Sequence, residues 1–104
     1  MAKNWVHWLA IDIPFNSREI PEGASNTDRM PKGCRELMNT YGEQGYGGPA
    51  PPVGTGPHPY VATLYALTVE KLDLPKSASL RQFQNLIAGK VLFEVSLTGF
   101  FEQT

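Results

Sequence analysis

Hydrophobic and polar positions alternate in two segments of the chain, and each alternation predicts a β-strand. Residues 5–13 are rich in β-forming side chains, and a period of two places His7, Leu9 and Ile11 on the more apolar face. Pro14 has no amide to continue a central ladder, so this strand is predicted to end there. Residues 91–98 alternate more regularly and predict a strand with one apolar face, made of Val91, Phe93, Val95 and Leu97.

A third strand and one helix are predicted between these segments. Residues 60–67 are apolar or weakly polar on both faces, which is typical of a strand that is covered on both sides. The segment from about 79 to 88 has helical spacing: Ser79 and Gln82 form a capping-box pattern, and Gly89 is suited to end the helix. The predicted buried stripe of this helix is Leu80, Phe83, Leu86 and Ile87.

The remaining sequence is dominated by a long stretch of loops. Residues 14–57 are crowded with Gly, Pro, Asn and Ser and far exceed the usual connection of about 4–6 residues, so functional loops are expected. A helical turn at residues 35–38 is only weakly indicated, because its apolar spacing does not continue beyond Tyr41. One helix is too little to cover three strands, so the prediction is a mostly β, predominantly antiparallel fold forming a single domain over residues 1–104.

Charge and cysteine content narrow the classes of partner and the cellular setting. The chain has nine basic and ten acidic side chains and no basic run. The sequence therefore does not indicate a positively charged surface for binding nucleic acid or a membrane. Cys34 has no second cysteine to pair with, which favours a reducing, cytoplasmic setting. The sequence contains neither a secretory signal pattern nor an apolar run of the roughly 20 residues that span a bilayer.

The chain has only two histidines, and both have surroundings suited to an anion site. His7 lies in Trp5-Val6-His7-Trp8, and His58 lies in Gly56-Pro57-His58-Pro59-Tyr60, where two prolines fix the backbone on either side of the ring. The intervening Gly/Pro-rich segment from 45 to 56 could present bare backbone amides. Imidazoles beside such a loop predict an anion pocket, although a single histidine on an apolar strand is more often structural.

Other chemistries receive less support from the residues. The glycine-rich segment 45–56 is not followed by the Gly-Lys-Ser/Thr of a nucleotide-binding P-loop, and it does not match a dinucleotide-binding motif. No cofactor is therefore predicted. His7, His58 and Cys34 lack a recognised metal-ligand spacing, so no metal is predicted. A small hydrolase that uses the histidine pair, with or without Cys34, stays open as an alternative. Catalysis by a serine with His7 and Asp12 is not expected, because Asp12 should lie on the strand face opposite His7.

These motifs together resemble the phosphatidylethanolamine-binding proteins, also called Raf kinase inhibitor-like proteins, and specifically their short bacterial and archaeal branch, the YbhB/YbcL group. The resemblance runs in family order across nearly the whole chain. It is carried by Trp5-Val6-His7-Trp8, Ile13-Pro14, Gly45-Tyr46-Gly47-Gly48-Pro49, Pro51-Pro52, His58-Pro59-Tyr60, Leu64-Tyr65-Ala66-Leu67, Gly89-Lys90-Val91-Leu92 and Leu97-Thr98-Gly99.

The resemblance implies a non-enzymatic protein with a small pocket for a phosphate-bearing or other anionic ligand, such as a phospholipid headgroup. It also implies possible regulation of a kinase or protease through protein contact. No catalytic residue is expected. By analogy the ligand-binding residues are Trp5, His7, Pro49, Ala50, His58 and Tyr60.

Two departures from the family pattern matter. Pro59 occupies the place where the family usually has arginine, which removes a cation. Family members also carry N-terminal strands ending in an Asp-Pro-Asp-Ala-Pro motif, and this sequence starts at Met1 where that motif would have ended. The chain therefore resembles the C-terminal two-thirds of the family domain, and it is expected to associate with another copy or with the missing segment. A third alternative is a structural fragment whose pocket is incomplete.

Overall fold

Four strands and one helix form the regular structure of residues 5–104, the part of the chain that the computed structural model describes. In chain order these are β1 (Ala10–Ile11), β2 (Arg35–Glu36), β3 (His58–Leu67), α1 (Leu80–Ile87) and β4 (Val91–Phe101). β1 pairs with β2 and β3 pairs with β4, both antiparallel, in two separate two-stranded sheets. The predicted mostly β, antiparallel fold with one short helix is confirmed. The predicted position of Met1 relative to the family motif lies outside the described residues.

The β3–β4 ribbon is longer than its sequence pattern predicts. β3 begins at His58 and β4 continues to Phe101, and their register pairs His58 with Phe101 and Leu64 with Val95. The prediction that β3 is covered on both faces is wrong, because Leu64 is 59% exposed. Phe100, near the end of β4, is 71% exposed as well. Apolar composition predicted these strands correctly, but it could not show whether other segments lie against them.

The helix α1 follows its sequence signals closely. Ser79 is the N-cap rather than the first helical residue: its Oγ accepts from the amide of Gln82 at 3.1 Å, and the Ser79 amide donates to Oε1 of Gln82 at 2.8 Å. These two bonds satisfy donors that the first turn leaves unpaired. Gly89, beyond the last helical residue, has φ +80°, a conformation that glycine adopts without strain. Phe83 and Ile87 are buried, and Leu80 and Leu86 pack against the core.

The first predicted strand is much shorter than expected. Only Ala10–Ile11 pairs as a strand, because Asp12 adopts φ +60° and ends the extended run before Pro14. The Asp12 carboxylate accepts a hydrogen bond from the amide of Leu72 at 2.8 Å, which holds this conformation. The weakly indicated helical turn at 35–38 is also wrong, since Arg35–Glu36 pairs antiparallel with β1 as a strand.

The hydrophobic core lies between the β1–β2 sheet, the helix and the segment that precedes the helix. Its buried members are Leu9, Ile11, Leu37, Leu72, Leu74, Ala78, Phe83 and Ile87. Tyr65 of β3 packs against this cluster, with its ring 5.6 Å from that of Phe83. Within residues 5–104, no helix is both long enough and apolar enough to cross a membrane.

Candidate anion site

His7 is held in place by the backbone of the Gly/Pro loop. Its Nδ1 lies 2.9 Å from the carbonyl oxygen of Gly47, and the Gly47 amide donates to the carbonyl of His7 at 2.8 Å. A carbonyl can only accept, so Nδ1 carries the proton. The structure gives Nε2 no hydrogen-bond partner in residues 5–104. This nitrogen is an acceptor in the neutral ring and a donor in the protonated ring.

Aromatic rings surround His7 and bring the two histidine motifs together. The Tyr60 ring lies edge-on to His7 with 5.2 Å between centroids, although the two residues are far apart in sequence. Tyr41 makes a second edge contact with His7 at 5.7 Å, and Trp5 lies 5.2 Å from Tyr41. Both histidine motifs therefore contribute a ring to one cluster, and no hydrogen bond to the Tyr60 hydroxyl is present in the described part of the chain.

His58 begins β3 and is oriented by the turn before it. Its Nε2 lies 2.7 Å from the hydroxyl of Thr55, and that hydroxyl donates to the carbonyl of Pro52 at 2.6 Å. Since the hydroxyl proton is directed to a carbonyl, the hydroxyl accepts from His58, and Nε2 carries the ring proton. Nδ1 is then the free nitrogen. No hydrogen bond or ring contact within residues 5–104 joins His58 directly to His7 or Tyr60.

The Gly/Pro loop does not present a continuous row of bare amides, as its composition had suggested. The amide of Gly45 donates to the carbonyl of Leu37, that of Tyr46 to the hydroxyl of Ser25, and that of Gly47 to the carbonyl of His7. The prediction is therefore wrong for residues 45–47. Gly48 and Ala50 keep amides without a hydrogen-bond partner in the described structure. Pro49 is half-buried between them and Ala50 is exposed.

Tyr41 is the site residue that the sequence did not reveal. Its ring contacts both Trp5 and His7, and its hydroxyl donates to the carbonyl of Gly48 at 3.1 Å. A Cβ on Gly47 would lie 2.5 Å from the Tyr41 ring, so glycine is required there for the ring to pack. The glycine was visible as a loop signal, but nothing in the sequence identified the ring that it accommodates.

The buried carboxylate of Glu36 lies between the segment after His7 and residues 25 and 26, which contact the Gly/Pro loop. Glu36 is 7% exposed and accepts from the Ser25 hydroxyl at 2.5 Å, the Asn26 amide at 2.8 Å and the Trp8 indole at 3.3 Å. Trp8 in turn lies edge-on to Tyr46, with 5.7 Å between centroids. Glu36 therefore links Trp8, the residue after His7, to Ser25, and the Ser25 hydroxyl in turn accepts from the amide of Tyr46 in the loop. Glu36 itself does not join the aromatic cluster.

Cys34 lies at another place in the fold. It lines an open cavity of about 260 Å³ together with Glu36, Gln44 and Lys76. Burial, and then the negative charges of Glu36 and Asp12, raise the pKa of the Cys34 thiol. A raised pKa lowers the thiolate fraction, which opposes a nucleophilic role. Among residues 5–104, no group of three His, Cys, Asp or Glu side chains is arranged to hold a metal ion.

Comparison with known proteins gives consistent matches over nearly the whole chain. The family model described as phosphatidylethanolamine-binding protein matches residues 1–102. A UPF0098 protein of Aquifex aeolicus is 35% identical, with 95% of this chain and 57% of that protein covered. A UPF0098 protein of Methanothermobacter thermautotrophicus is 36% identical, with 98% and 66% covered. The chain thus spans about six-tenths of the length of these relatives.

A solved structure shows the same similarity in three dimensions. The crystal structure of Escherichia coli YbcL, described as a member of the mammalian PEBP family, superposes with a TM-score of 0.87 at 26% identity. The superposition covers 96% of this chain and 62% of YbcL. Sequence and fold therefore indicate the same family.

Proposed function

Because the chain belongs to the phosphatidylethanolamine-binding protein family, we propose that it binds a phosphate-bearing or similar anionic ligand at the His7–Tyr60 cluster. Membership of this family supports a ligand-binding role. The ligand class is chosen from the polar groups at hand: the imidazoles of His7 and His58, whose free nitrogens donate only in the protonated ring, the phenol of Tyr60 and the amides of Gly48 and Ala50. Regulation of a kinase or protease is part of the same proposal, as a consequence of binding at this site.

The contact between His7 and Tyr60 is the observation that carries the proposal. Two rings from distant segments lie 5.2 Å apart, and each keeps a polar atom, Nε2 and the hydroxyl, without a hydrogen-bond partner in residues 5–104. Both rings are half-buried, so a ligand can reach them. A polar pair that is positioned but unsatisfied is typical of a binding site rather than of a core, where such groups are paired.

Titration with inorganic phosphate and with O-phosphoethanolamine, followed through the imidazole resonances of His7 and His58, tests the proposal. We expect saturable shifts of both rings and no turnover of a phosphate or carboxylate ester. Tyr60→Phe should weaken binding about tenfold, the effect of losing one hydrogen bond to a charged group. Tyr65→Phe is the matched control, because Tyr65 lies on the opposite face of β3 against Phe83 and should leave binding unchanged.

Three outcomes would contradict the proposal. Shifts of neither histidine at millimolar phosphate would favour the alternative of a fragment with an incomplete pocket. Ester turnover that disappears in His58→Ala would instead favour a hydrolase. Equal affinity in Tyr60→Phe and the unaltered protein would place the bound anion elsewhere in the molecule.

A further inference from the structure

Two backbone carbonyls of the Gly/Pro loop determine which nitrogen carries the proton in each histidine. The Gly47 carbonyl accepts directly from Nδ1 of His7 at 2.9 Å. The Pro52 carbonyl acts on His58 through the Thr55 hydroxyl, which donates to that carbonyl at 2.6 Å and lies 2.7 Å from Nε2 of the ring. The neutral rings are therefore opposite tautomers, with the proton on Nδ1 in His7 and on Nε2 in His58.

A turn of the loop sets the place of the Thr55 hydroxyl. The Pro52 carbonyl also accepts from the Thr55 amide at 3.4 Å, which closes a β-turn in which Gly54 has φ +84°. Because threonine branches at Cβ, its side chain has few rotamers, and the bond to Pro52 selects one of them. His58 is flanked by two prolines, which restrict the backbone on either side of it. Local backbone geometry thus brings the hydroxyl and the imidazole together.

We infer that Thr55 is a positioning residue for His58, which makes Nδ1 the ring nitrogen that a ligand meets. Nε2 donates to the hydroxyl whether the ring is neutral or protonated, so the ring keeps the same orientation in both charge states. The Thr55 hydroxyl directs its one hydrogen to Pro52, so it is expected to act through His58 rather than on a ligand itself. The consequence for ligand affinity rests on the proposed function, whereas the assignment of the proton to Nε2 does not.

The Thr55 hydroxyl is the one hydrogen-bond partner of the His58 side chain within residues 5–104. The His58 ring is half-buried and makes no contact with another aromatic ring in this part of the chain. Without the hydroxyl, the ring would rotate about its side-chain bonds and exchange its proton between the two nitrogens. Binding would then have to order the ring, and ordering a free side chain lowers affinity by roughly two- to tenfold.

Nitrogen-15 NMR of the ligand-free protein tests the assignment at about pH 8, where imidazoles are ordinarily neutral. The ring nitrogen shifts should show Nε2 protonated in His58 and Nδ1 protonated in His7, which serves as an internal reference. In Thr55→Val the two nitrogen shifts of His58 should move toward each other as the tautomers exchange, whereas those of His7 should stay unchanged. Titration with inorganic phosphate should then show an affinity about fivefold weaker for Thr55→Val than for the unaltered protein.

Thr55→Ser keeps the hydroxyl and should restore both the nitrogen shifts of His58 and the phosphate affinity. Thr63→Val is the matched control, because it removes a threonine hydroxyl of β3 that lies 2.9 Å from the hydroxyl of Ser96. It should leave the His58 shifts and the phosphate affinity unchanged. Circular dichroism checks that each variant is folded.

The inference is overturned if the unaltered protein carries the His58 proton on Nδ1, or if Thr55→Val leaves both nitrogen shifts of His58 in place. It is also overturned if Thr55→Val and the unaltered protein bind phosphate equally. A failure of the unaltered protein to bind phosphate would instead contradict the proposed function, and the nitrogen shifts of the ligand-free variants would still decide the role of Thr55.

Discussion

At the scale of single residues, the candidate anion site depends on side chains that lie outside the aromatic cluster around His7. Glu36 accepts three hydrogen bonds from two different segments, and Trp8 among its donors follows His7 directly in the chain. A buried carboxylate with several donors is a rigid anchor, since removing it leaves those donors unpaired. Glu36 on β2 thus holds Trp8, the chain neighbour of His7, although β2 is far from this segment in sequence.

The Cys34 thiol gives a residue-scale prediction about pH. Burial and the charges of Glu36 and Asp12 raise the pKa of the Cys34 thiol, so the folded protein holds less thiolate than the unfolded chain at the same alkaline pH. We expect iodoacetamide to modify folded Cys34 more slowly than the urea-unfolded chain, with a rate that keeps rising after the unfolded control has levelled off. Mass spectrometry of timed samples from pH 7 to 10 measures both rates.

The same pKa shift has a defined effect on stability. Below the ordinary thiol pKa the Cys34 thiol is protonated in both the folded and the unfolded protein, so it adds no pH dependence to the stability. Above that pKa the thiol ionises first in the unfolded chain, so the stability of the folded protein falls as pH rises.

Asp12→Asn tests the electrostatic part of this shift, because it removes one of the charges while keeping a side-chain acceptor for Leu72. It should speed alkylation of Cys34 modestly. Alkylation rates that level off at the same pH in both states would contradict this account.

At the scale of elements, the helix α1 depends on its cap. We expect Ser79→Ala to lower the free energy of unfolding by about 1 kcal/mol, because the Gln82 amide loses its side-chain acceptor. Ser77→Ala is the control, since Ser77 is exposed and makes no hydrogen bond in the described structure, and it should change stability by less than about 0.5 kcal/mol. Urea unfolding measures both, and equal losses would show that the cap contributes nothing.

The elements also show why some parts of this fold were predictable. Ser79, Gln82 and Gly89 are local signals, so the helix could be located to within one residue at each end. β1 and β2 depend on pairing between residues 10–11 and 35–36, and no local pattern encodes such a distant partner. The break at Asp12 escaped prediction because its positive φ is stabilised by Leu72, a contact that exists only in the folded chain.

The candidate site was predictable to a similar degree. The resemblance and the spacing of motifs singled out His7 and Tyr60, and the structure brings their rings together. Tyr41 was missed because its role depends on a turn that returns its ring to Trp5 and His7. Periodicity separated the two faces of β4, but it could not tell which face would meet the core, since that depends on segments elsewhere in the chain.

At the scale of the whole molecule, the Arg35 side chain of β2 links the first sheet to the segment between β3 and α1. The Arg35 guanidinium donates to the carbonyls of Leu74 at 2.7 Å and Leu72 at 3.5 Å. Arg35→Ala should therefore lower the free energy of unfolding by about 2 kcal/mol, the range for hydrogen bonds from a charged group. Urea unfolding gives the free energy, and hydrogen exchange at the Leu72 amide should quicken in parallel.

Arg29 is the matched control for this long-range link. Its guanidinium donates to the carbonyl of Gly23 within a single exposed loop, so Arg29→Ala should change stability by less than about 1 kcal/mol. Arg35→Lys should recover only part of the loss, because a single ammonium lacks the fork that reaches two carbonyls. A larger loss of stability in Arg29→Ala than in Arg35→Ala would contradict the proposed link between β2 and the segment that precedes α1.

The proton on Nδ1 of His7 has a consequence for the kind of ligand that the ring selects. Because that proton is directed to the Gly47 carbonyl, the neutral ring presents a lone pair at Nε2, and a fully deprotonated phosphate presents only lone pairs as well. Two lone pairs do not bond each other, so a partner for this nitrogen must bring a hydrogen of its own. Under the proposed function, the neutral His7 ring therefore selects ligands that carry an O–H or N–H donor beside the anion, such as a singly protonated phosphate or an amino-bearing headgroup, over an anion without a donor.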